Sequence, residues 1–191
     1  MHLSSSLSRI LLGAALTLGA QAVLAQQALV PAQSEVQFTA RQMGVPLEGH
    51  FTKFNAQVAF DPAKLATSKI TFTVDTGSAT LGSRETDAEL PKPAWFNVPK
   101  FPQAQFESSS IKALGGGKFE VAGKLTIKGN AQNVVVPVAL AQSGATTTAT
   151  GTLPIKRLAF KIGENEWADT SMVADDVTVK FKLALTGVPK L

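Results

Sequence analysis

Chemistry in a protein is carried by few side-chain types, and this sequence is poor in them. Its 191 residues include no Cys, no Tyr and two His, His2 and His50. Those counts exclude thiol nucleophiles, disulfides, Cys-ligated zinc, iron–sulfur clusters and poly-His metal sites. The densest titratable run is Arg84-Glu85-Thr86-Asp87-Ala88-Glu89. On a helix, residues 85 and 89 share a face and 87 does not, so the three carboxylates do not converge on one reacting atom. His50 has no second His or Cys beside it for a metal, and no nucleophile–base pair can be built on it. Gly115-Gly116-Gly117 lacks the Gly-Lys-Ser/Thr ending and the strand-to-helix context of a phosphate-binding loop. No catalytic residue, metal or cofactor is assigned, and the chain is not expected to be an enzyme. What it does hold is apolar: 11 Phe, 2 Trp, and 45% hydrophobic against 17% charged residues. The chemistry it is suited to is reversible burial of apolar surface.

Burial needs elements to frame it, and the sequence offers strands. Apolar and polar residues alternate with period two through Val36–Ala40, Phe54–Phe60, Ile70–Val74, Phe119–Ile127, Val134–Leu140 and Val177–Leu185. A shorter strand over Gln103–Ser109 and a Thr-rich one over Ala145–Leu153 bring the count to about eight. One apolar face per strand, with no crossover helix of adequate length, predicts an all-β antiparallel architecture. Closure into a barrel buries the apolar face and removes the edges; an immunoglobulin-like sandwich is the second option. Asp61-Pro62 predicts a single helical turn, and Gly115-Gly116-Gly117 and Lys128-Gly129-Asn130 predict hairpin loops. Pro137, inside a strand, predicts a bulge or seam. The alternation breaks over residues 82–101, where Ser83 is placed to cap a short helix through Leu90, ended by Pro91 and Pro93, before a long loop carrying Trp95 and Phe96.

The first 25 residues form a weakly basic start, an apolar stretch and a small-residue close at Val23-Leu24-Ala25, the pattern of a cleaved signal peptide. The expected division is a signal peptide over 1–25 and one domain over 26–191, exported to the periplasm and soluble there. The full chain carries a net charge of +4, and loss of Arg9 would leave +3. Basic residues are spread along the strands rather than clustered, so nucleic acid is not expected as a partner.

The segment from Phe38 through Leu185 resembles the YceI-like family of exported proteins. The resemblance rests on Gly49-His50-Phe51-Thr52-Lys53-Phe54, Arg84, Lys100-Phe101-Pro102-Gln103-Ala104-Gln105-Phe106, Val121 through Gly129, and Arg157-Leu158-Ala159-Phe160-Lys161-Ile162. It implies a lipocalin-like barrel around an isoprenoid lipid of the quinone or prenyl phosphate type. The expected apolar lining is Phe38, Phe54, Phe72, Val74, Phe106, Phe119, Leu125, Phe160 and Phe181. Arg84, Asp87, Trp95, Phe96 and Trp167 are expected at the mouth, with Arg84 the leading head-group contact. The sequence leaves open whether the interior is filled or hollow, since eight strands stand at that boundary. Expected transient partners are a membrane surface or membrane redox proteins; the oligomeric state is open, a homodimer among the options. Two other readings stand beside the carrier: a stress-related interaction module using residues 82–101 on a barrel scaffold, and, behind it, a hydrolase using the acidic helix.

Overall fold

Alternating side chains need a pleated strand to separate them onto two faces. A computed structural model describes residues 26–191, and the expected signal segment lies outside the described residues. The strands in chain order are β1 (Ala28–Leu29), β2 (Glu35–Gln42), β3 (Val45–Phe51), β4 (Phe54–Ala59), β5 (Lys69–Asp75), β6 (Ala79–Thr80), β7 (Gln103–Gly115), β8 (Lys118–Ile127), β9 (Asn130–Ser143), β10 (Thr146–Lys156) and β11 (Asp176–Thr186), with one α-helix, α1 (Arg84–Glu89), between β6 and β7. All eight expected strands form. The additional long one is β3, whose apolar face Val45, Leu47, Gly49 and Phe51 is obscured by Pro46 and by a glycine in mid-strand, both of which argue against a strand.

The strands join into one curled antiparallel sheet in the order β4-β5-β7-β8-β9-β10-β11-β2-β3-β6, with β1 on β11. Closure is by side chains and turns rather than by a continuous ladder. At one end of the gap between β3 and β4, Lys53 N–H donates to Ser78 Oγ at 3.0 Å, while Lys53 C=O accepts from Asp75 N–H at 3.0 Å. At the other end of β4, on the same unpaired edge, the amide of Gln27, just before β1, donates to Phe60 O at 2.7 Å and accepts from Phe60 N–H at 3.0 Å. Gln27 thus supplies both halves of a backbone pair that β4 would otherwise lack.

Pro137 marks a seam, as its missing N–H requires. The β9–β10 ladder runs from Ser143↔Thr146 to Val138↔Gly151 and stops there, while β9 continues along β8 and β10 along β11. The two strands diverge beyond Pro137. Gln132 and Asn130 close the wedge by donating to the carbonyls of Ala159 and Phe160 at 3.3 and 3.2 Å. Both hairpin loops form where expected, and Lys128 and Gly129 take φ of 49° and 74°, the left-handed pair that a two-residue hairpin needs. Two local expectations are corrected. Asp61-Pro62 makes a turn, with Ala63 N–H donating to Asp61 Oδ1 at 2.9 Å, and helical geometry begins only as a short 3-10 turn over Leu65–Thr67. Ser83 precedes α1 but its side chain makes no capping bond; Thr86 Oγ1 instead donates back to Ser83 O at 3.0 Å.

Candidate apolar cavity

Two apolar clusters occupy the ends of the curled sheet. One joins Phe60, Ile111, Phe119, Val121, Leu185 and Val188; the other joins Ala79, Leu90, Phe96, Ile127, Phe160 and Ile162. Between them lies a cavity of about 360 Å³, walled by the inward faces of the strands. A volume in this range suits a small-molecule pocket rather than a packing defect.

Three of the phenylalanines on the cavity wall lie over glycines of a neighbouring strand. Phe38 is opposite Gly49 and Phe181 opposite Gly151, and Phe106 reaches diagonally over Gly123. A methyl group at any of these glycines would lie within 3.0 Å of the ring. Each ring therefore covers a glycine on the neighbouring strand and leaves the centre open. Gly151→Ala would also press on Pro137 O at 2.6 Å, which is backbone and cannot turn away. This substitution is expected to destabilise the protein by ~1–3 kcal/mol and to tip Phe181 into the cavity; a denaturant-midpoint shift with unchanged m-value measures the first effect.

Of the residues expected inside, Phe38, Phe72, Val74, Phe106, Phe119, Leu125 and Phe181 line the cavity. Phe54 does not: it stands at the start of β4 with its ring 6.0 Å from that of Phe72. Phe160 does not either. It belongs to a 3-10 turn, Arg157–Phe160, where strand parity no longer applies, and packs, 2% exposed, into the cluster behind the wall. Of the residues expected at the mouth, Trp95, Phe96 and Trp167 line the cavity, the two indoles 5.5 Å apart, and the Trp95 N–H is buried without a partner.

Arg84 and Asp87 are off the wall, and helix phase explains why. Thr86, Glu89 and Leu90 form the inward face of α1, and Arg84 points away from it. Asp87 holds the helix instead: it accepts from Thr80 Oγ1 at 2.6 Å and from Leu81 N–H at 2.6 Å. Those bonds, the Thr80 hydroxyl first, keep its carboxyl below the ordinary 3.8. A depressed carboxylate value means the tether is fully present above 3.8 and is lost as pH falls below it. Amide protection over residues 84–89, taken relative to the intrinsic exchange rate at each pH, is expected to fall in that acidic range, and in Asp87→Ala to be low already at neutral pH, with no further step on acidification.

The loops closing this end are fixed by two buried cations. The guanidinium of Arg157, 2% exposed, donates five bonds to backbone carbonyls: Ala174 at 3.0 Å, Ile162 at 2.8 Å, Gly163 at 3.0 Å, Trp167 at 2.7 Å and Val173 at 2.6 Å. Its burial lowers its pKa from the ordinary value, with Asp175 opposing the shift. Lys128, 6% exposed, donates to Pro93 O at 2.6 Å, Lys161 O at 2.7 Å and Glu164 Oε2 at 2.7 Å, and so holds the carboxyl of Glu164 below its usual range. Neither clasp is expected from the sequence, because carbonyl acceptors leave no side-chain signature.

Apart from Arg157, the one charged residue on the cavity wall is Glu89, which is paired with Lys92. Thr86 lines the cavity and is exposed, and Val45, next along the inward face from Leu47 and paired with Gln42, is exposed too, which places an opening beside α1 and the β2–β3 hairpin. Among the described residues no group of three or more His, Cys, Asp or Glu is arranged to hold a metal ion.

Comparison with known proteins bears on this arrangement. The YceI-like domain family matches residues 28–185. The chain belongs to the YceI-like family. Among its curated YceI-like relatives, a UPF0312 protein of Ectopseudomonas mendocina is 33% identical over 137 residues, covering 70% of this chain and 71% of the relative. The crystal structure of BcnA from Burkholderia cenocepacia is 50% identical, with a TM-score of 0.79 over 82% of this chain and 98% of that one. A polyisoprenoid binding domain from Saccharophagus degradans shares the fold, with a TM-score of 0.68 at 13% identity over 84% and 98% of the two chains. The curled antiparallel sheet with its short helix is therefore the YceI-like, lipocalin-like architecture.

Proposed function

We propose that this protein is a periplasmic carrier that takes up an isoprenoid lipid with an uncharged, quinone-type head group, and does so without covalent chemistry. The observation that carries the reading is the cavity wall: it is apolar throughout its middle, and the one cation on it, Arg157, has all of its N–H donors engaged by carbonyls. A phosphate head group drawn inside would find no free cationic donor on the wall itself, where the other charged residue, Glu89, is a carboxylate paired with Lys92. A neutral head group avoids both costs, since an unpaired charge is expensive to desolvate. The name of the Saccharophagus domain, a polyisoprenoid binder of the same fold, supports the tail class. The diverging carboxylates support a binding role over catalysis: Asp87 is tied to Thr80 and Leu81, Glu89 to Lys92, and Glu85 is exposed. Residues 1–25 support export.

The test is native mass spectrometry of protein purified from a bacterial host, followed by organic extraction, and then titration of the stripped protein with ubiquinone and with geranylgeranyl diphosphate. Co-purified lipid and at least tenfold tighter binding of the quinone are expected. A protein that is always empty and binds neither would refute the carrier reading; preference for the diphosphate would refute the head-group part. Fractionation after osmotic shock checks the compartment.

A further inference from the structure

The inward face of the β2–β3 hairpin does not end at the cavity mouth. Gln42 and Leu47 line the cavity, and Val45, two residues before Leu47 and paired with Gln42, continues the same face outward. There it is 62% exposed. At the hairpin tip Met43 is 74% exposed, and its N–H donates to Met172 O at 2.7 Å, bringing in a third apolar side chain, 42% exposed. Three of the six large exposed hydrophobic residues among the described ones thus meet at one rim. The segment is braced rather than loose: Ala174 N–H donates to Arg41 O at 2.9 Å, Gln42 bridges Val173, and the Arg41 guanidinium donates to Gly44 O at 3.2 Å.

We propose that Met43, Val45 and Met172 form a ledge that enters the surface of a lipid bilayer and joins the membrane interior to the cavity. The inference rests on the carrier reading. Three points select a bilayer. The ledge is continuous with an apolar cavity whose ligand would itself reside in a membrane. Three side chains fall far short of the ~800 Å² per partner of a stable protein interface, yet suffice for shallow, reversible insertion. Arg41 places an exposed cation beside the apolar tip, within reach of lipid phosphates; of the carboxylates in the Met172 segment, Glu164 is paired with Lys128, while Asp169 and Asp175 accept from Ser171 and from Leu158 N–H.

The test follows ubiquinone transfer from phosphatidylcholine vesicles, with and without phosphatidylglycerol, to the protein lacking residues 1–25. Transfer through contact is expected to rise in rate with vesicle concentration, and Met43→Glu with Val45→Glu to slow it at least tenfold. The same variant should bind ubiquinone added from ethanol with unchanged affinity and keep its melting temperature. A rate independent of vesicle concentration, or unchanged in the variant, would overturn the ledge while leaving the carrier reading intact. Failure of the unmodified protein to bind ubiquinone from either source would overturn the carrier reading and the ledge with it. A change in subunit number in the variant, seen by light scattering, would reassign the ledge as a contact between copies. Loss of transfer in Arg41→Gln but not in the double variant would reduce the contact to electrostatics and overturn the apolar ledge.

Discussion

Arg157→Met should unfold the mouth of the cavity and lower global stability by ~4 kcal/mol, near the upper end of single-residue effects. Methionine fills much of the same space but leaves five buried or half-buried carbonyls without their donor. Each stranded acceptor costs ~1–3 kcal/mol when water cannot replace the lost partner, and some water will enter here, so the sum is not reached. For a domain of this size the melting temperature should fall by roughly 10 °C. Arg157→Lys is expected to recover little, because an ammonium has three donors on one atom and cannot span acceptors arranged around a planar fork. Thermal unfolding of both variants, with tryptophan fluorescence reporting on Trp95 and Trp167, checks the claim; loss of less than ~1 kcal/mol would show that the loop holds without its clasp.

Filling the cavity should separate binding from stability. Ala149 lies on the inward face of β10, opposite Leu140 and Leu183, and lines the open space. A phenylalanine there would displace ~100 Å² of buried lipid tail, and at ~25 cal/mol/Å² that removes ~2.5 kcal/mol, roughly a 70-fold loss of affinity. Because the new ring enters empty volume, stability should change by no more than ~1.5 kcal/mol. Ala56→Phe, across the cavity on β4, is the independent repeat. Quinone titration against denaturant unfolding distinguishes the outcomes: unchanged affinity in both variants would mean that the tail lies elsewhere.

The strands were legible because alternation is a direct consequence of a wall with one dry and one wet face, and Pro137 marked its seam because a missing N–H must end a ladder. β3 was harder: Pro46 and Gly49 weaken the very pattern that identifies a strand, and Gly49 makes sense only once Phe38 is known to lie across it. The hollow interior shares that difficulty. A glycine in β8 or β10 acquires meaning through its neighbour on the adjacent strand, so register must be known first. Trp95, Phe96 and Trp167 stand on the cavity wall, since large apolar rings in an irregular segment need cover. Arg84 and Asp87 stand off the cavity wall for a reason composition does not carry: it gives the residues of a helix but not its rotation. That rotation is set by the Asp87 tether to Thr80 and Leu81, a contact between elements.

The divergence of β9 and β10 beyond Pro137 has a mechanical side. A cylinder whose hydrogen bonds run unbroken around its circumference resists widening, because every increment of girth stretches a ladder. Here the hoop is interrupted twice, at the β9–β10 wedge and along the β3–β4 edge, and each gap is spanned by a few contacts near its ends. Any widening of the wall would fall on these two joints, where few hydrogen bonds must part, and would leave the ladders of the paired strands between them intact.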